Sequence, residues 1–322
     1  MKHQTDKETH LSVSIVIPAW NESDIIIPCL KASLNQTIEP KEVIIVDNKS
    51  TDDTVAKVQE FVNLNPNYKK IVKIVHQDKI QGLIPTRNKG LDMAKGDIIG
   101  RIDADAIIRP DWVEVVSKVF GKNKKVMAAT GPCTYYDMPS KRVSLSFDRN
   151  LRKLIMSHKS EKTGIQTLLF GTNMAIRNKA WKAIGKECCL DKEDKLHEDM
   201  DITIHFAKHG YEVAFVSDMV AGMSARRISN SLKDFNEYQN RAINTYKAHG
   251  LSTGTPQLVK STFMTIYFPL HALYPIYQRR FVKNKELIEN ELWKDRGMME
   301  PVHKKIARYL SPHYIRNRWK GL

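Results

Sequence analysis

The sequence predicts an α/β protein with a mainly parallel central sheet and a basic, helical C-terminal extension, on three observations. Apolar, β-branched runs recur through Ile102, each followed by a helix-like stretch. The runs are continuous instead of alternating, the pattern of strands covered on both faces. Past residue 250 this order is lost and positive charge accumulates.

Ser12–Pro18 (SVSIVIP) is the first strand, closed by its proline. Asn21–Asp24 then opens a helix reaching Leu34, with Asn21 or Ser23 placed to cap it. Glu42–Asp47 (EVIIVD) is the second strand, and Ser50–Asp53 carries capping chemistry for the next helix. Ile71–His76 is the third strand; a helix over 83–95 ends before Gly96, and Asp97–Ile102 (DIIGRI) is the fourth strand. Further on, a helix is expected at Asp111–Phe120, a strand at Val126–Thr130 and a basic helix-like stretch over 140–159. Leu168–Arg177 reads as a strand or turn around Gly171, Asp199–His209 as a helix ended by Gly210, and Tyr211–Val216 as a strand. Ser231–His249 is a long helix. No repeat or linker occurs, and composition shifts most clearly between Gly250 and Ser261. The expected organisation is therefore a polar tail (1–11), an α/β domain (12–250, in halves of about 12–105 and 106–250) and an extension (251–322).

Composition narrows the function classes. Hydrophobic residues at 42% and charged residues at 27% exclude disorder as the main state. The 15 glycines and 13 prolines are not periodic, which excludes a collagen-like chain. A multi-pass membrane protein is excluded because no set of ~20-residue apolar runs exists. The formal charge of +15 asks for an anionic partner, and residues 261–322 carry 12 Lys or Arg against 5 Asp or Glu. Cys29, Cys133, Cys188 and Cys189 are too few for a disulfide framework, and the adjacent Cys188–Cys189 pair lacks a spacing suited to zinc. Reduced thiols and a polar start without an apolar h-region give a cytosolic-side reading.

Ligands of open parallel sheets bind outside the carboxyl ends of the strands. There the chain places Glu22 past the first strand, Asp47 on the second, and Asp103–Ala104–Asp105 after the fourth. Carboxylates two apart on an extended segment point to one side and can share a hard divalent cation with substrate phosphates. A solvated acidic turn is the competing explanation, and the strand-end position argues against it. Asp47 is either a turn aspartate or an acceptor for a base or ribose.

Five ordered blocks carry a resemblance: SVSIVIPAWNE (12–22), EVIIVDNKSTDDT (42–54), GLIPTRNKGLDMAKG (82–96), DIIGRIDAD (97–105) and HEDMDI (197–202). In order and spacing the chain resembles family 2 glycosyltransferases over about residues 12–217. The resemblance implies the GT-A fold, an αβα sandwich binding a nucleotide-diphosphate sugar and a divalent metal (manganese or magnesium), with inversion at the anomeric carbon. It divides 12–250 into a nucleotide-binding half and an acceptor half. Pro18, Ala19 and Glu22 would line the nucleotide pocket, Asp47 would accept from the base, and Arg87 would lie near the base or diphosphate. Asp103 would hold ribose or metal, Ala104 would line the pocket, and Asp105 would be the principal metal ligand. The chain departs from the family in reading Asp47–Asn48–Lys49–Ser50 where a second carboxylate is common, and in lacking a His after the strand at 211–216. Arg226 or Arg227 would contact the diphosphate instead.

His197–Glu198–Asp199–Met200–Asp201 precedes an apolar helical run, so its acids also suit a helix N-terminus. By the resemblance Asp199 is the general base and Glu198 positions the acceptor. A zinc-protease reading fails, because His197 and His205 do not have the spacing of HExxH.

Ser261–Gln278 contains no Lys, Arg, Asp or Glu and is followed by Arg279, Arg280 and Lys283. Its aromatics suit an interfacial segment on anionic lipid, with an ordinary packed helix or a membrane span still open. The expected function is sugar transfer from a UDP- or GDP-sugar to a glycan or lipid-linked acceptor in the cell envelope, on the cytoplasmic face of the membrane, with no nucleic-acid partner. The alternatives are a nucleotidyltransferase on a similar sheet, or a basic RNA- or lipid-binding protein with a vestigial site. An NAD oxidoreductase is excluded by the absence of GxGxxG after any strand.

Overall fold

The computed structural model describes residues 10–138, 141, 144–146, 148–150, 165, 167–282, 292 and 293. Most of the expected basic stretch at 140–159 and the extension beyond residue 282 lie outside these residues, the extension apart from 292 and 293.

Seven strands form the central sheet. β1 (Val13–Ala19), β2 (Glu42–Asp47), β3 (Val72–His76) and β4 (Ile98–Arg101) are joined by β8 (Met174–Arg177), β6 (Val126–Thr130) and β9 (Glu212–Phe215), in the order β3-β2-β1-β4-β8-β6-β9. Every pairing is parallel except those of β8, which runs antiparallel to both β4 and β6. β1 and β2 are buried at every position, which is why their sequences are unbroken aliphatic runs. A three-stranded sheet, β5-β10-β7, joins β5 (Ile107–Ile108), β10 (Ala221–Met223) and β7 (Cys133–Tyr135). These short strands carry too little pattern to be read from sequence.

The helices are α1 (Ile26–Leu34), α2 (Thr54–Leu64), α3 (Leu83–Met93), α4 (Trp112–Lys122), α5 (Asn178–Ile184), α6 (Glu198–Lys208), α7 (Leu232–Ala248) and α8 (Gly254–Val282). They cover both faces of the large sheet, giving two apolar layers. One centres on Ile15, Ile17, Val43 and Ile45, the other on Val16, Ile44, Val46 and Trp181. α3 lies close to the second face through Gly90, where an added Cβ would stand 2.3 Å from Val16 Cγ1.

One expectation is corrected. The helix after β1 begins at Ile26 without a side-chain cap, not at Asn21. Asn21 and Ser23 instead receive the chain from across the crevice: their N–H groups donate to Ser50 Oγ (3.0 Å) and Asp52 Oδ2 (3.0 Å). Asn21 sits at φ 53°, a left-handed turn that Asn tolerates. The apolar segment 261–278 is the middle of α8, and no helix among the described residues is long and apolar enough to cross a membrane. One stripe of α8 is tied down. Tyr267 donates to Asn230 O (2.7 Å), Tyr274 to Asp137 Oδ2 (2.8 Å), and Lys260 to Asn240 Oδ1 (2.7 Å).

Candidate active site

Chain order places β1 at the point where the sheet changes direction: β2 and β3 lie to one side, β4 to the other. Ligand crevices of open parallel sheets form at such a point, outside the carboxyl ends. Pro18 and Ala19 are buried at the end of β1, with Ala19 in register beside Asp47 and Asp47 beside His76. Asp47 is 4% exposed; its Oδ1 accepts from the Ser50 N–H (3.2 Å) and its Oδ2 lies 3.3 Å from His76 Nδ1. Part of its hydrogen-bonding capacity therefore serves the turn.

On the other flank, Asp103, Ala104 and Asp105 follow β4. The Asp103 carboxylate accepts from Thr172 Oγ1 (2.5 Å) and pairs with Arg101 Nη2 (2.8 Å). Asp105 is buried, and burial first, then the like charges of Asp103 and Glu22, push its pKa up to about 7 although Arg226 opposes this. The Arg226 guanidinium forks between Glu22 (2.7 and 2.5 Å) and Asp105 (3.1 Å). A positive group thus already sits between two of three converging carboxylates. These donors are all hard oxygens, so Asp103 and Asp105 could hold a divalent cation shared with a diphosphate. Arg227 lies apart from this fork, stacked 3.7 Å above the Tyr238 ring.

The position of Arg226 depends on Asp137, which sequence reasoning missed. Asp137 accepts from Ser224 Oγ (2.6 Å), the Ala225 N–H (2.8 Å) and Tyr274 OH, so one buried carboxylate ties the Arg226 loop to α8.

The second acid cluster opens α6, whose first turn carries Glu198, Asp199 and Asp201. The structure brings it against the strand end through Arg101, the last residue of β4. This guanidinium, 1% exposed, meets Asp103, Glu198 Oε1 (3.2 Å) and Asp199 Oδ1 (3.6 Å). Asp199 Oδ2 accepts from the Gly171 N–H at 2.6 Å, while Oδ1 makes no hydrogen bond. Only glycine fits at 171, since an added Cβ would stand 1.6 Å from Arg101 Nη1. Burial resists ionisation of Glu198, yet Arg101, His197 and Arg87 bring its pKa down to about 2. Burial, and next the Glu198 charge, push Asp199 up to about 8. The pair is thereby split into an anion and a group poised to exchange a proton near neutrality.

Arg87 is fully buried in α3, with Nε and Nη2 donating to Asn88 Oδ1 (3.0 and 2.6 Å) and Nη1 without a hydrogen bond. Burial lowers its pKa, and the carboxylates acting against that are Glu198 and Asp199. Its field is felt at the acid pair. Arg101 could have been suspected from sequence, as the charge inside the apolar run IIGRI (98–102); Asp137 had no such signal.

Comparison with known proteins agrees with this architecture. A profile of glycosyl transferase family 2 matches residues 14–185, more than half of the chain. A chondroitin synthase of Escherichia coli is 39% identical over 111 residues, covering 34% of this chain and 16% of that protein. The glycosyltransferase AglE of Haloferax volcanii is 26% identical over 227 residues, 69% of either chain. A solved mannosyltransferase of Pyrobaculum calidifontis, in complex with GDP-Man and Mn2+, superposes with a TM-score of 0.54 at 18% identity, over 96% of this chain and 84% of that one. The switch-point crevice, its strand-end carboxylates and the matched profile lead to one assignment: the chain belongs to glycosyl transferase family 2 and has the GT-A fold.

Proposed function

We propose that this glycosyltransferase inverts the anomeric carbon as it moves a sugar from a UDP- or GDP-sugar to a hydroxyl of a glycan or lipid-linked acceptor in the cell envelope. The observation that carries the reading is Arg101, whose buried guanidinium joins the Asp103–Asp105 strand end to the Glu198–Asp199 pair in one cluster. Donor and acceptor machinery then meet across one short gap. Ala19, Pro18, Ala104 and Asp47 line the nucleotide side, and Glu22 holds Arg226 towards the diphosphate. A divalent metal, manganese or magnesium, held by Asp105 and Asp103, would supply charge stabilisation to the departing diphosphate. Arg226 adds positive charge to the same group, and Arg227, stacked on Tyr238, adds its field from further away. Asp199 takes the acceptor proton on Oδ1, the oxygen left without a hydrogen bond, while Gly171 fixes Oδ2. Glu198 stays ionised and orients the acceptor.

Peripheral contact with anionic membrane is supported by the outer face of α8. Leu258, Phe263, Ile266, Phe268, Leu273 and Ile276 are each at least 40% exposed, just ahead of Arg279, Arg280 and Lys283 in sequence. Failure of the full-length protein to bind anionic vesicles at low salt would remove this part of the reading.

The central test compares Asp199→Asn with Glu198→Gln at saturating donor. Asn keeps the size of the side chain but takes no proton, so transfer should fall by ~10²–10⁴ with donor binding retained. Glu198→Gln should cost less. The reverse ranking, or near-normal transfer by Asp199→Asn, would mean the base is misplaced.

A further inference from the structure

One buried cluster lies outside the sugar-transfer site. The loop after α5, the first two turns of α6 and the C-terminus of α7 meet around Asp201, whose side chain is fully buried. Cys188, Asp201 and His205 each bring a ligand atom within 4.8 Å of the others, and Cys189, Asp201 and His249 do the same. Asp201 and His205 are one helical turn apart on α6 and share a face. Chain spacing hid this group, because the cysteines are adjacent and the histidines come from two different helix ends.

A self-satisfied polar cluster accounts for part of it. Asp201 accepts from the Cys189 N–H (3.0 Å) and from His249 Nε2 (2.8 Å), and burial together with the Asp201 carboxylate raises the pKa of both thiols. Lys208 Nζ lies 3.0 Å from His249 Nδ1. It does not account for His205. That ring is 6% exposed, yet neither nitrogen makes a hydrogen bond: Nε2 faces Asp201 Oδ1 at 3.7 Å and Nδ1 faces Glu187 at 3.5 Å. Buried polar atoms are rarely left this way in a finished structure, and an ion is one standard reason.

We propose that Cys188, Asp201, His205 and His249, drawn from the two triads that share Asp201, close around one structural zinc ion. Thiolate, two imidazoles and a carboxylate form the mixed soft and borderline donor set of a closed tetrahedral zinc site, unlike the all-oxygen strand end at Asp103 and Asp105. Binding replaces the S–H bond of Cys188 by a sulfur–zinc bond and releases that proton to solvent. His249 coordinates through Nε2 with its proton moved to Nδ1, so Lys208 turns away to water. The ion fastens α6 one turn beyond Glu198 and Asp199 to the end of α7, and so positions the acid pair.

The test uses the full-length chain, loaded with zinc and then passed over a desalting column. Metal analysis should find about one zinc per chain, consistent with a single site. Cobalt loaded in its place should show strong visible d–d bands and a thiolate charge-transfer band in the near ultraviolet. Cys188→Ser and His205→Ala should each lower zinc affinity by at least ~10²-fold. Asp105→Asn should leave zinc content unchanged, which separates this site from the strand end. Should the two variants fold poorly, a strong chelator added to the unmodified protein should lower its Tm. Zinc that washes off the unmodified protein, cobalt without the charge-transfer band, or a Tm indifferent to the chelator would each overturn the proposal.

Discussion

Removing the Arg101 charge should unlock the cluster on which the active-site reading rests. Arg101→Met keeps most of the length of the side chain and leaves Asp103, Glu198 and Asp199 facing one another without their shared cation. Breaking a buried ion pair by deleting one member costs about 3–5 kcal/mol, because the survivor keeps its burial and loses its compensation. Set against a domain stability of ~5–15 kcal/mol, such a loss is large. Urea unfolding at pH 7.5 should show it as a lower midpoint with an unchanged slope. The deficit should shrink as pH falls towards 5, because the abandoned carboxylates can then take up protons. Gly171→Ala attacks the same point sterically, its Cβ meeting Arg101 Nη1 at 1.6 Å and Asp199 Oδ1 at 2.4 Å. Combined with Arg101→Met it should cost less than the sum of the two, since the nearer of the two clash partners is gone. A deficit below ~1 kcal/mol, or one that ignores pH, would refute the argument that Arg101 compensates buried anions.

Three further outcomes are expected. Asp105→Asn removes an anionic oxygen from a site with few, so the thermal shift produced by a nucleotide sugar should lose its dependence on manganese; an unaltered dependence would exclude Asp105 as the ligand. Asp52 has its pKa held down to about 2, against the burial that opposes this, by hydrogen bonds from Thr54 and Ser23. A depressed folded pKa gives stability that is present above about pH 4 and lost as pH falls towards 2, so Asp52→Asn should flatten the acid limb of Tm against pH. Phe263→Glu with Phe268→Glu alters only exposed positions of α8 and should release the protein from anionic vesicles without lowering Tm; vesicle binding that survives would assign the contact elsewhere.

Much of the sheet from β1 to β4 was legible because its signals are local. Continuous aliphatic runs mark strands buried on both faces, and a carboxylate just past such a run must lie at a sheet edge, as Asp47 and Asp103–Asp105 do. Caps were less legible. Asn21 and Ser23 have capping side chains, but their N–H groups found Ser50 and Asp52 across the crevice, and the helix started later. Sequence could propose Asp199 and Asp105 separately, through resemblance, but not that Arg101 would bind their two clusters together. That depends on β8 entering the sheet antiparallel beside β4 and bringing Gly171 and Thr172 to the strand end. Asp137 reaching Ser224 and Tyr274, and Cys188 meeting Asp201 and His205, are likewise products of packing between distant segments. Periodicity along the chain reports which face of an element is buried; only the tertiary structure decides which polar groups share that burial, because each charge inside must find its partner in space and not in sequence.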